Sequence, residues 1–179
     1  YRFAVADKDK RYLRQSFSLY LPPAVVDRLV DSNVSPALGG ETRELSAFFS
    51  DIKGFTSISE GLTPEELVRF LNQYLSAVTE IIEAQGGFVD KYIGDAVVGV
   101  FGAPLDDPDH ARHAVTAALE CQQTLAGMQQ DFGLPGNPPV GTRIGICTGE
   151  MLVGNIGSGR RFNYTIMGDA ANLASRLEG

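Results

Sequence analysis

Apolar positions recur along this chain at two spacings, and the switches between them lay out its elements. Residues 45–50 form a short apolar run that ends at Asp51 and a turn-like stretch through Gly54, the pattern of a buried strand. Behind it, Leu67, Phe70, Leu71, Tyr74, Leu75, Val78, Ile81 and Ile82 return every three or four residues, which predicts a long helix. Thr63-Pro64-Glu65-Glu66 marks its start, with an N-cap, a proline at the first helical position and a glutamate three residues after the cap; Gly86-Gly87 ends it. Two β-rich runs, residues 88–93 and 96–101, are separated only by Gly94-Asp95, the composition of a tight hairpin. Asp107-Pro108 opens a second helix, with Ala111, Ala114, Ala117, Ala118, Cys121, Leu125 and Met128 on its buried side. Residues 140–148 and 151–156 read as another hairpin, and residues 162–166 as a strand. Residues 169–177 read as the start of a last helix, on which Leu173 and Leu177 make a stripe that packs inward. The run Gly154-Asn155-Ile156-Gly157-Ser158-Gly159 matches neither the dinucleotide fingerprint nor the P-loop and reads as a flexible loop.

The predicted order is therefore strand, helix, hairpin, helix, hairpin, strand, helix. It suits an α+β ferredoxin-like sandwich, a mainly antiparallel sheet with helices on one face. Residues 1–40 stand apart from this pattern. Residues 1–20 are dense in charge, with Leu13, Phe17 and Tyr20 at loose helical spacing, and are followed by a short helix over residues 24–30 behind Pro22-Pro23 and a polar stretch over 31–40. Together these segments are read as a helical lead-in to an upstream region, and residues 41–179 as the compact domain. Because the chain stops inside the last predicted helix, the domain is expected to be clipped at its C-terminal end.

Composition narrows the function. With 44 % apolar and 21 % charged residues over 179 positions, the chain can bury one core and is not a disordered tail. The 22 acidic and 15 basic residues give a net charge of −7, which disfavours broad attraction to nucleic acid or an anionic membrane surface. Nucleic acid is excluded as a partner on this ground, and any anionic ligand must be gripped locally. Two cysteines, Cys121 and Cys147, make no disulfide framework, and no stretch is long and apolar enough to span a bilayer. The expectation is a cytoplasmic domain, with a tether to the inner face of a membrane outside this sequence left open.

Against that background a few residues carry candidate chemistry. Asp51 ends a strand and Asp95 sits at a hairpin tip, and a sheet can bring two such carboxylates to one edge, where Mg²⁺ or Mn²⁺ is held with substrate phosphates completing the shell. Each also has a plain reading, as a cap or a turn residue. Between them in sequence, Ile52-Lys53-Gly54-Phe55-Thr56-Ser57 could cradle a phosphate with backbone amides, or be ordinary loop. Asn172 and Arg176 lie one helical turn apart and share a face, so an amide and a guanidinium project together; a solvated polar face is the alternative. Lys91 and Thr165, each on a strand, could read a base edge or be surface residues. His110 and His113 stand at a polar helix start and are given no role.

Three blocks together resemble a known family. Phe48-Phe49-Ser50-Asp51-Ile52-Lys53-Gly54-Phe55-Thr56, Lys91-Tyr92-Ile93-Gly94-Asp95, and the run from Tyr164 through Thr165, Gly168, Asp169 and Asn172 to Arg176 look like the signature blocks of class III nucleotidyl cyclase catalytic domains, in the family's order. The resemblance covers residue 41 to the end. It implies that Asp51 and Asp95, with the carbonyl of Ile52, bind two Mg²⁺ or Mn²⁺ ions. It implies that Lys91 and Thr165 read the purine, a pair that goes with ATP, and that Asn172 and Arg176 position the ribose and stabilise the charged phosphorus. Gly54, Phe55 and Thr56 fall at the phosphates. The reaction implied is conversion of ATP to 3′,5′-cyclic AMP and pyrophosphate in intracellular signalling. The site implied lies between two chains, the aspartates from one and Lys91, Thr165, Asn172 and Arg176 from the other, in a homodimer.

The resemblance carries further expectations. Threonine at 165 places the chain near a subgroup in which bicarbonate stimulates some members. The family domain runs on past residue 179 and supplies one more lysine to the triphosphate, and the lead-in resembles a linker to an upstream sensor. Two alternatives stand beside the adenylyl reading: a catalytically weak cyclase-like module that binds nucleotide, and a guanylyl cyclase. All six key positions are filled, which argues against the first, and Lys91 argues against the second.

Overall fold

In the computed structural model the central strand β1, Gly39–Ile52, is more than twice as long as its apolar run. Its first half is polar and exposed, and it is extended because it pairs residue for residue with β4, from Gly39 opposite Asn155 to Ile52 opposite Thr142. The structure describes residues 25–27 and 37–179; residues 25–27 are helical, residues 39 and 40 of the predicted lead-in belong to β1, and residues 1–24 and 28–36, including most of the helix read over 24–30, lie outside the described residues.

After β1 come a five-residue helix α1, Phe55–Ser59, and the long helix α2, Pro64–Ala84. The expected cap forms in full: the Glu66 amide donates to Thr63 Oγ1 at 3.3 Å, and the Thr63 amide donates to Glu66 Oε2 at 2.9 Å. Phe70, Tyr74, Val78 and Ile82, spaced four apart, form the fully buried stripe of α2. Strands β2, Phe88–Ile93, and β3, Ala96–Phe101, make the predicted hairpin, with Gly94 at φ +66° in the turn. Helix α3, His110–Gly127, buries Ala114, Ala117, Cys121 and Leu125 as expected, and also His110; Ala111 is exposed. Strands β4, Thr142–Ser158, and β5, Arg161–Met167, follow, and α4, Asp169–Glu178, closes the described chain.

The five strands pair in the order β2-β3-β1-β4-β5, every pair antiparallel. The first four give the ferredoxin-like arrangement: two crossovers, one through α2 and one through α3, each return to the sheet with one strand between. Side chains of β1 alternate between two cores. Phe48 and Ile52 join Phe70, Tyr74, Val78, Ile82 and the α3 alanines, whereas Leu45 and Ala47 join Met151, Val153, Ala171 and Ala174. Helices α2 and α3 thus cover one face, as expected, but α4 covers the other, so the helices are not confined to a single face.

Two further expectations change. The hairpin read into residues 140–156 is one continuous seventeen-residue strand, and residues 154–158 of the presumed flexible loop belong to it, paired with β5. Its glycines mark close approaches rather than turns. A Cβ on Gly145 would lie 2.1 Å from the Ala174 carbonyl oxygen, one on Gly149 would lie 3.2 Å from Ala170 Cβ, and one on Gly154 would lie 2.3 Å from the Gly39 carbonyl oxygen. The same crowding corrects the last helix. Helix α4 sits so close to β4 that only Ala171 and Ala174 fit beneath it, and Leu173 and Leu177 remain 41 % and 57 % exposed.

Candidate active site

Antiparallel pairing builds the first group. Ser50 of β1 faces Val97 of β3, so the β2–β3 turn arrives beside the end of β1, and the Ile52 amide donates to Asp95 Oδ2 at 3.0 Å. Ile52 itself is buried in the core, which anchors the strand end that carries Asp51. Across the β1–β4 pair, Asp51 faces Arg143, whose Nε and Nη2 donate to the two carboxylate oxygens at 3.0 and 2.7 Å. Arg143 also reaches Glu178 Oε1 at 3.4 Å, and Glu178, at the end of α4, is held above the usual carboxylate range by burial and then by the neighbouring Asp51. Thr142 Oγ1 donates to the Asp51 carbonyl at 2.9 Å, and the Tyr74 hydroxyl lies 2.8 Å from the same Oγ1. The backbone at Asp51 is therefore tied through Thr142 to the centre of the core.

Gly54, at φ +70°, starts α1, Phe55 packs on the core, and Thr56 is exposed. The Lys53 amide donates to the Gly141 carbonyl. Two of the amides at the proposed cradle, those of Ile52 and Lys53, are thus already used inside the chain.

The second group joins the two edges of the sheet. Strands β2 and β5 stand at opposite ends of the strand order, yet Lys91 Nζ donates to Thr165 Oγ1 at 3.0 Å and the Phe88 and Tyr164 rings lie 5.6 Å apart. The sheet coils far enough for its edges to meet on the α4 side. Beneath them is a cavity of about 320 Å³ lined by Phe49, Lys91, Val98, Ile166, Ala171 and Asn172, with Asp90 at its wall. Thr165 also donates to Asp90 Oδ2 at 2.6 Å. Arg176, one turn beyond Asn172 on α4, is exposed and has no hydrogen-bond or ion-pair partner among the described residues. A larger open groove of about 770 Å³ along α2 contains none of these residues.

Asp51, Ile52 and Asp95 are brought together, and so are Lys91, Thr165 and Asn172. No described bond links one group to the other, and neither aspartate lines the cavity. Residues 40–179 match the family of adenylate and guanylate cyclase catalytic domains. The chain belongs to that family. The cyclase domain is 38 % identical, over 92 % of this chain, to a Rhizobium meliloti protein named adenylate cyclase 1, of which it covers 25 %. Among solved structures, it resembles the guanylyl cyclase Cya2 at 42 % identity and a TM-score of 0.73, over 79 % of this chain and 72 % of that one. It resembles the adenylyl cyclase CyaB from P. aeruginosa at 39 % identity and a TM-score of 0.74, over 79 % and 74 %. This cyclase domain spans no more than about a third of the length of the curated relatives it matches.

Reading along the chain missed three residues of the cyclase domain. Arg143 gains meaning only from its register opposite Asp51, and Asp90 only from a bulge in β2. His110, given no role, is buried with Nδ1 2.9 Å from Ser46 Oγ, which in turn lies 2.6 Å from Thr148 Oγ1. It satisfies a polar patch under the sheet and stands apart from both groups.

Proposed function

We propose that this chain is an adenylyl cyclase domain that converts ATP to 3′,5′-cyclic AMP and pyrophosphate at sites shared by two copies. The observation that carries this reading is the Lys91–Thr165 hydrogen bond beside a cavity of about 320 Å³ that Lys91 helps to line, on a chain that also gathers Asp51 and Asp95 at one strand end. Resemblance to both adenylyl and guanylyl cyclases leaves the nucleotide open, and the donor–acceptor pattern of the pocket favours adenine. Lys91 offers N–H groups that suit N1, and the Thr165 hydroxyl can accept from a 6-amino group.

The carboxylates of Asp51 and Asp95 and the Ile52 carbonyl are hard oxygen donors, too few to enclose an ion, which fits Mg²⁺ or Mn²⁺ sharing its shell with water and phosphate. Two such ions would lower the pKa of the ribose 3′-hydroxyl and neutralise the triphosphate. The chain's own residues then bind and orient. Lys91 and Thr165 fix the base, Asn172 holds the ribose, and Arg176 meets the charge that develops at the α-phosphate as the 3′-oxygen attacks and pyrophosphate leaves. Gly54, Phe55 and Thr56 flank the phosphates. Asp51, now bonded to Arg143, would have to release that guanidinium to hold a cation, and Arg143 would then be free to face the triphosphate.

Separation of the two groups within one chain supports a homodimer, because each chain then supplies the aspartates to one site and the base pocket to the other. Exposed Ile93, Met167, Leu173 and Leu177 give the facing surface apolar area to bury. The reading places the domain in the cytoplasm, downstream of a sensor; bicarbonate stimulation is proposed with it, on Thr165. The test is turnover of ATP and GTP with Mn²⁺. Cyclic AMP as the main product is expected, and no cyclic product, or faster use of GTP, would reject the assignment.

A further inference from the structure

The geometry points to Asp90 as the positioning residue that sets which purine the pocket accepts, acting through the hydroxyl of Thr165. The inference rests on reading the cavity as a nucleotide site. Strand β2 carries a register shift between Val89, opposite Gly99, and Lys91, opposite Val98. In a regular strand, neighbours point to opposite faces; the bulge turns Asp90 and Lys91 toward the same partner. Both reach Thr165 Oγ1, at 2.6 and 3.0 Å, and Lys91 Nζ is 3.5 Å from Asp90 Oδ2.

A hydroxyl alone is a poor judge of purines, since it can donate to a 6-oxo group as readily as it accepts from a 6-amino group. Asp90 removes that freedom. An ionised carboxylate only accepts, so it takes the Thr165 proton, and the Lys91 ammonium only donates, so it takes one lone pair. What remains on Thr165 is a single lone pair, beside the remaining N–H groups of Lys91. That acceptor-and-donor pair matches the 6-amino group and N1 of adenine. Guanine presents a 6-oxo acceptor and an N1–H donor, which opposes it at both positions.

The cost of Asp90 argues in the same direction. Its side chain is 1 % exposed, and Oδ1 is buried without a hydrogen-bond partner. Burial raises its pKa, opposed by the Thr165 hydroxyl, the Lys91 charge and the Ile166 amide. A half-satisfied buried carboxylate adds little or nothing to stability compared with an apolar side chain of the same size. Its place against the two base-reading residues gives it a use.

The experiment compares the unsubstituted chain with Asp90→Asn, Thr165→Val and the double variant. For each, kcat/KM is measured with ATP and with GTP, and equilibrium binding by displacement of a fluorescent ATP analogue with each nucleotide. An asparagine amide can donate to Thr165 and release its hydroxyl as a donor, so Asp90→Asn should lower the ATP:GTP ratio about 10-fold or more. In the Thr165→Val background the same substitution should leave the ratio unchanged. A parallel loss for both nucleotides, or a shift that persists without the Thr165 hydroxyl, overturns the relay. If the unsubstituted chain forms no product yet binds ATP over GTP, and Asp90→Asn erases that preference, the relay stands and the catalytic reading fails. A chain that binds or turns over GTP better overturns both.

Discussion

Replacing Gly145 with alanine tests how closely the position of α4 governs the site. Gly145 lies on β4 opposite Phe49, under the last helix. A Cβ there would stand 2.1 Å from the Ala174 carbonyl oxygen, 2.4 Å from the Glu178 nitrogen and 2.9 Å from the Leu177 carbonyl carbon. All three are helix backbone, so no side chain can swing aside. Relieving the shortest contact to even 3.0 Å requires α4 to move about 0.9 Å, outward along its C-terminal half. Overpacking of this kind costs about 1–3 kcal/mol, which for a domain of this size lowers the melting temperature by roughly 3–10 °C. The larger effect falls on activity. Asn172, Arg176 and Glu178 ride on the displaced helix, and a misplacement of about 1 Å can cost on the order of 100-fold in rate. The expected result is a folded protein, by circular dichroism, with a modestly lower melting temperature and kcat/KM for ATP down about 100-fold. Gly149→Ala, whose Cβ would be 3.2 Å from Ala170 Cβ, should show a much smaller loss. Equal activity in the Gly145→Ala protein and the unsubstituted chain would refute the claim that this glycine sets the helix height.

Other consequences can be checked separately. Asp51→Ala and Arg176→Ala chains should each be nearly inactive alone, and mixing them should restore about a quarter of full activity, because half of random dimers are mixed and each has one intact site; absence of any rescue would count against shared sites. Burial pushes the Tyr74 phenol and the Cys121 thiol up to about 12, so both stay protonated in the fold while the unfolded chain loses those protons near pH 10 and pH 9. The unfolded state then binds fewer protons, so stability is full below about pH 9 and falls by a few kcal/mol as pH rises toward 12. Urea unfolding from pH 8 to 11 should show the decline, and Tyr74→Phe should flatten its upper part. Thr63→Ala removes one half of the capping box and should cost about 1 kcal/mol in thermal or urea unfolding while leaving turnover unchanged, since α2 holds no site residue.

Local chemistry made much of this protein legible along the chain. The capping box at Thr63 and the four-residue repeat of Phe70, Tyr74, Val78 and Ile82 need only neighbours a turn away, and the Gly94-Asp95 hairpin needs only its flanking strands. The candidate residues Asp51, Asp95, Lys91, Thr165, Asn172 and Arg176 were nameable for the same reason, as short motifs on recognisable elements. Where the reading failed, glycine meant something that local context does not reveal. Gly149 reads in sequence as the turn of a hairpin and Gly145 as an ordinary strand position, but both are spacers that let α4 lie against β4, and that closeness leaves Leu173 and Leu177 outside with only alanines beneath.

The sequence by itself determined most of the elements, though not the single long strand β4, together with the antiparallel class and the types of side chain available for chemistry, because each depends on spacing within one segment. Only the tertiary structure decided which of them meet. Arg143 finds Asp51 through strand register ninety-two positions along the chain, and a bulge aims Asp90 and Lys91 at one hydroxyl. Lys91 and Thr165 meet because the sheet coils until its two outermost strands touch. Twist, register and bulge are properties of paired strands, and no single stretch of residues contains them.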